Sequence, residues 1–197
     1  MFTNFKFTTH ISLPTNYDPS QTPAHQIHTI DVAGPLNLLT CTITATSNTS
    51  TSAITSLAIS RLPPWTSRDL SPFTALRARE NDLSTLCWSL TSYWSLAHRR
   101  AQFWHACESA FAHLLPGRTA SDTENATPKT DKRAARPPPP LSRKDLHRHL
   151  GRDVLVLEDA HVLLKVSWRI GFDWTGEAES EVGVEPAFPA VCKCLVC

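Results

Sequence analysis

Glycine is scarce in this chain, with six residues against fifteen prolines in a total of 197. That balance excludes long flexible Gly-rich linkers and favours stiff ones. The sequence has no Gly-rich phosphate loop and no nucleophile elbow. It has no run of about 18 apolar residues, so no membrane-spanning helix is expected. The first residues set Phe2, Phe5 and Phe7 among polar neighbours and lack the apolar core of a signal peptide. Excess charge of one sign is missing too. Nineteen Lys and Arg stand against eighteen Asp and Glu, for a net charge of +1. Strong electrostatic binding of nucleic acid by the whole chain is not expected, although a local patch stays open.

What is present begins with apolar residues, at 41% of the chain, enough for one domain or two small ones. The dominant feature is residues 81–115, uninterrupted by Gly or Pro. Leu83, Leu86, Cys87, Leu90, Trp94, Ala97, Ala101, Trp104, Cys107, Phe111 and Leu114 recur there at steps of three and four. That spacing predicts one helix with a continuous apolar stripe, about 50 Å long. Pro116-Gly117 ends it. Upstream, a further helix starts near Pro72, capped by Ser67 or Ser71. It either runs into the long helix or breaks at Asn81-Asp82, where Asn81 would cap a new helix.

The remaining segments flank this helix. Residues 1–26 read as an irregular arm with one short strand within 4–12. Residues 27–117 hold a hairpin and the long helix. Residues 36–46 and 54–60 are rich in Thr, Ile and Leu and read as its two strands, joined by a polar turn. Pro63-Pro64 then ends the sheet. Residues 118–145 form a basic, Pro-rich linker that cannot bury enough apolar surface to order itself. Residues 146–190 form a meander of three strands. There Leu164, Val166, Trp168, Ile170 and Phe172 alternate strictly with Lys165, Ser167, Arg169 and Gly171. A three-residue loop, Trp174-Thr175-Gly176, pairs Phe172 with Ala178, Trp168 with Val182, Val166 with Val184, Arg169 with Glu181 and Lys165 with Glu185. Residues 191–197 are a Cys-rich tail. The fold class is therefore α+β: an N-terminal hairpin and a C-terminal meander, both antiparallel, on one long central helix.

No residue set in the sequence carries an enzymatic mechanism, and neither a cofactor nor a metal is assigned. Cys192, Cys194 and Cys197 offer three thiolates where zinc takes four ligands, and His147 or His149 could supply the fourth. Cys194 opens a C-a-a-X-like end and is the lipidation candidate, with Cys192 as a second acylation site. Cys197 departs from the usual last residue of that pattern, and the tail reads best as an unstructured end. The scattered Cys41, Cys87 and Cys107 read as small buried hydrophobes, which favours a reducing, intracellular setting in nucleus or cytoplasm. Asn48-Thr49-Ser50 and Asn125-Ala126-Thr127 then match the glycosylation pattern by chance.

The linker's Lys129, Lys132, Arg133, Arg136, Arg143, Lys144 and Arg148 read as solvated charge, with a nuclear-targeting or nucleic-acid patch as the alternative. Pro137, Pro138, Pro139 and Pro140 suit a polyproline segment that docks in an aromatic groove. Trp94 and Trp104 fall on the apolar stripe, whereas Trp88 and Phe103 lie off it and are candidates for contact with a protein partner. His105, Cys107 and Glu108 are read as pointing apart, and Asp173 and Glu177 as solvated turn carboxylates. The order of strands, Pro-Pro break and long helix resembles that of RWD-type interaction domains, some of which are kinetochore subunits. The likeness is one of topology alone. These readings converge on a non-enzymatic intracellular interaction subunit or adaptor. Two alternatives remain: a membrane-peripheral protein lipidated at Cys194, and a small enzyme whose site is assembled only in three dimensions.

Overall fold

The computed structural model describes residues 5–14, 25–116, 141–159 and 161–187. It is α+β, and the described residues divide into two compact units. The first comprises the chain to Ala97 together with Ile170–Ser180, and the second comprises His98–Arg169 and the chain from Glu181.

In the first unit, strands β1 (Lys6–Ser12), β2 (His25–Ala33), β3 (Thr40–Asn48) and β4 (Ile54–Ser60) form an antiparallel sheet in sequence order. The expected hairpin is thus the β3–β4 end of a four-stranded meander. The segment expected as an irregular arm supplies its outer strand. Period-two alternation gives the sheet two distinct faces. The register Phe7↔Val32↔Cys41 and Ile30↔Ile43↔Ile59 lines up one apolar face. Asp31, Thr42 and Thr44 lie on the other, where Thr42 Oγ1 donates to Asp31 at 2.7 Å. Burial pushes the Cys41 thiol up to about 12, with Cys87 and Asp31 adding to the effect.

The strand expected from residue 36 begins at Thr40 instead. Pro35 cannot extend a ladder, and Leu36 and Asn37 adopt φ of 56° and 52° in a tight turn closed by Gly34 N–H donating to Leu39 O at 2.8 Å. The polar turn before β4 is present. Its Asn48 side chain accepts from the N–H groups of Ser50 and Thr51 at 2.9 and 3.1 Å.

The helix expected near Pro72 is α1 (Leu70–Arg79), and the helix expected over 81–115 is α2 (Leu83–Ala110), shorter than expected and followed by a 3₁₀ turn at Ala112–Leu114. The chain breaks at Asn81-Asp82, and each residue takes a different task. Asn81 is left-handed, at φ 58°, and closes α1: its N–H donates to Ala78 O and that of Asp82 to Arg77 O, both within 3.2 Å. Asp82 is the cap of α2, accepting from Thr85 N–H at 3.0 Å. The start of α1 is preceded by Asp69 rather than Ser67 or Ser71, and Pro72 sits in its first turn.

The first half of α2 buries Leu86, Ser89, Leu90, Tyr93, Trp94 and Ala97. Tyr93 stacks on Trp65 at 6.0 Å and on Phe172 at 6.0 Å, and Phe172 stacks on Phe73 at 4.1 Å. In the second unit, α2 buries Arg100, Ala101 and Trp104. Helix α3 (Arg143–His149) begins inside the expected linker and ends inside the expected meander, started by a reciprocal Ser142–Asp145 capping box.

Strands β5 (Val154–Glu158), β6 (Leu163–Phe172) and β7 (Ala178–Ala187) form the expected meander. In the second unit Trp104, Leu155 and Leu157 are its packed centre, joined by Cys107, Leu114, Leu115, Leu164, Val166 and Trp168. Lys165 pairs with Glu185 at 3.0 Å, and Ser167 Oγ donates to Gly183 O at 3.4 Å, both in the expected register. Val182 and Val184, expected on the covered face, are 53% and 59% exposed. A helix about 10 Å across spans roughly two strands at ~4.8 Å spacing. It covers β5 and β6 and leaves the outer part of β7 open. Among the described residues no helix is long and apolar enough to cross a membrane.

Candidate functional site

The two units each present one arrangement beyond core packing. In the first unit it is the β6–β7 loop. Backbone Asp173 N–H donates to Glu177 O at 3.0 Å and Gly176 N–H to Asp173 O at 3.2 Å, closing the three-residue loop. The Asp173 carboxylate accepts from Thr175 N–H at 2.9 Å, Thr175 Oγ1 at 2.7 Å and Glu177 N–H at 2.8 Å. The Thr175 hydroxyl bond, aided by these backbone N–H groups, holds the Asp173 carboxyl below the usual carboxylate range although it is exposed. Asp173 is therefore the keystone of the loop, and Asp173 and Glu177 do not form an acid pair.

Gly176 sits at φ 85°, where a Cβ would lie 2.4 Å from Thr85 Cγ2 and 2.9 Å from Ser89 Oγ. One residue beyond Glu177, Ala178 N–H donates to Ser92 Oγ at 3.1 Å. The loop is thus clamped on the first half of α2. From it Trp174 projects into solvent, 87% exposed. Trp88, three residues after Thr85 on the same helix, is 41% exposed. Trp174 was not singled out by sequence reasoning. The signal was there, an aromatic side chain at the tip of a loop whose Asp and Gly fix its backbone.

In the second unit a cavity of about 510 Å³ lies between the end of α2 and α3, lined chiefly by His105, Glu108, Asp145, Arg148, His149 and Arg152. His105 and Glu108 are three residues apart, so they share a helix face, while Cys107 turns to the apolar cluster. This corrects the expectation that these residues all diverge. Glu108, 13% exposed, pairs with Arg152, with Arg148 at 3.2 Å and with His149 Nε2 at 3.7 Å. Burial opposes its charge, but the Arg152 hydrogen bond and the neighbouring His149, Arg148 and Arg152 prevail and hold its pKa below the ordinary value.

Burial lowers the pKa of His149, with Glu108 opposing and Arg148, Arg152 and His105 assisting. His149 is 1% exposed and meets the His105 ring at 5.7 Å, and its Nδ1 has no hydrogen-bond partner among the described residues. Arg152 is fixed from behind, since Trp104 Nε1 donates to its carbonyl at 2.9 Å. Among the described residues no three His, Cys, Asp or Glu side chains are grouped to hold a metal.

Phe103 is 40% exposed and contacts Trp104 and Trp168 at ring distances of 5.2 and 5.5 Å, so part of it belongs to a packed layer. Trp94 and Trp104 are buried. His161 is exposed and does not line the cavity. Pro137, Pro138, Pro139 and Pro140, and Cys192, Cys194 and Cys197, lie outside the described residues. No protein-family model matches the chain, and no curated protein matches it.

Proposed function

We propose that the chain is a non-enzymatic protein-interaction subunit, acting inside the cell, with Trp174 as its principal anchor. The observation that carries this reading is a large apolar side chain, 87% exposed, on a loop whose backbone is fixed by hydrogen bonds and by contact with α2. A tryptophan held out in this way adds nothing to the core. It offers a partner large contact area at little ordering cost, which is how interface anchors work. Trp88 extends the apolar surface on the same unit, and the partner is expected to present an apolar pocket with a polar rim. The likeness in element order to RWD-type interaction domains points the same way.

The test is affinity capture with the full chain, comparing wild type with Trp174→Ala and Trp88→Ala. Partners captured by wild type and lost from Trp174→Ala are the expected result. Capture indifferent to both substitutions overturns the proposal.

A second reading rests on the cavity that brings His105, Glu108 and His149 together, a convergence suited to a small-molecule site and hence to an enzyme. A thermal-shift screen of small polar ligands tests it. Stabilisation that His105→Asn abolishes supports a site, and a flat screen removes it. The lipid-anchored reading rests on Cys194, and membrane fractionation of Cys194→Ser decides it.

A further inference from the structure

In the second unit, the cavity between the end of α2 and α3 has a hydrogen-bond balance that selects one kind of molecule. Its carboxylates are already engaged. Glu108 takes Arg152 on Oε1, and Arg148 and His149 on Oε2. Asp145 spends Oδ2 on the N–H and hydroxyl of Ser142. The Ser109 hydroxyl donates to His105 O at 2.8 Å along its own helix. The donors are not used up. An arginine offers five N–H groups and accepts nothing. Arg148 meets Glu108 through Nη2, and its side chain is 71% exposed. Arg152 gives Nε to Val154 O at 2.9 Å and Nη1 to Glu108, which leaves Nη2. The His105 ring meets the His149 ring and makes no hydrogen bond among the described residues.

We infer that the cavity binds a small organic oxyanion, with its carboxylate or phosphate group on Arg148, Arg152 and His105 and its apolar body on Ala112, Leu115 and Pro116. This inference rests on the reading of the cavity as a small-molecule site and names the class of molecule. A guanidinium with N–H groups to spare matches a carboxylate or a phosphate ester, because its planar fork fits their oxygens. A cation is served far worse. Both oxygens of Glu108 are taken, and among the described residues no three His, Cys, Asp or Glu side chains are grouped to hold a metal. The volume of about 510 Å³ exceeds what a bare ion needs and suits a small organic molecule. The lining also changes character along the chain. His105, Glu108 and Ser109 are polar, whereas Ala112, Leu115 and Pro116, past the end of α2, are apolar. His149 is 1% exposed, so it steadies Glu108 instead of touching the ligand.

The test titrates benzoate, phenyl phosphate and neutral benzamide into the full chain, followed by calorimetry and NMR. The two anions share a ring and differ in the head group, so their ranking tells a carboxylate site from a phosphate site. At least one of them is expected to saturate a single site about tenfold more tightly than benzamide. The His105 ring signals are expected to move in the same titration. Arg148→Gln, at a largely exposed side chain, is expected to weaken binding about tenfold, and Arg148→Lys, which keeps the charge and loses the fork, by less. The His105 signals keep the test decisive if Arg148→Gln fails to fold. Benzamide binding as tightly as the anions overturns the inference and leaves the small-molecule reading standing. The absence of binding by either anion at about 10 mM overturns it too, and a flat thermal-shift screen then removes that reading as well. Anion binding that leaves the His105 signals in place, or that Arg148→Gln leaves intact, also overturns it.

Discussion

At the scale of single residues, Gly176 and Trp174 divide the labour of one loop. Gly176 must hold a positive φ and lie against Thr85, so Gly176→Ala is expected to cost roughly 1–3 kcal/mol, measured by urea denaturation. Trp174 meets solvent, so Trp174→Ala is expected to change stability by less than about 0.5 kcal/mol while removing partner capture. A large stability loss on Trp174→Ala would place that side chain in the core and end its role as an anchor. Cys41 behaves oppositely to an exposed thiol. With its pKa pushed up to about 12, it is expected to resist alkylation at pH 8 in the folded chain and to react once the chain is unfolded. Mass spectrometry after iodoacetamide treatment separates the two states.

At the scale of elements, the junction between α1 and α2 is where local sequence and structure meet most closely. Asn81 and Asp82 are both capping residues by type, and sequence placed a break there. The assignment of tasks depended on backbone sign. Asn tolerates the left-handed region, so it closes α1, and Asp82, next in line, accepts the Thr85 N–H in the first turn of α2. Asp82→Ala is expected to cost about 1 kcal/mol and Asn81→Gly to be near neutral, while Asn81→Val, β-branched at positive φ, should cost more than either. Equal effects of the Gly and Val substitutions in denaturation would contradict the left-handed assignment. The buried Arg100, donating to Trp168 O at 3.1 Å, was not foreseen from the helical stripe, which counts only apolar residues. Its carbonyl partner is 68 residues away, a pairing that no local pattern encodes.

At the scale of the whole molecule, the second unit is tied together by charge as well as by apolar packing. Glu108 on α2 holds Arg148 and His149 of α3 and Arg152 beyond it. Glu108→Ala is expected to cost roughly 1–3 kcal/mol, because it leaves those donors without their shared acceptor. The pH dependence has a defined sign. The His149 pKa is lowered on folding, so its contribution to stability is present above the unfolded value of about 6.5 and is lost as pH falls below it. Glu108, also lowered, adds a second loss further down, below about pH 4.3. Urea midpoints at pH 5.5 and 7.5 should therefore differ in wild type, lower at pH 5.5, and the difference should shrink in His149→Gln. An unchanged difference would show that His149 does not carry it.

By itself, the sequence determined the periodicities: the helical stripe of α2, the strict alternation of β6, the Trp174-Thr175-Gly176 loop and the register that sets Lys165 beside Glu185. These follow from side-chain spacing and turn chemistry within a few residues of each other. Only the tertiary structure decided where coverage ends. It left Val182, Val184, Ile11 and Trp174 in solvent although their pattern or size suits a core. It also brought His105, Glu108 and His149 to one cavity from two helices. The physical reason is that burial depends on the finite width of a helix laid on a sheet and on contacts between residues tens of positions apart. Neither is written in the spacing of neighbouring side chains.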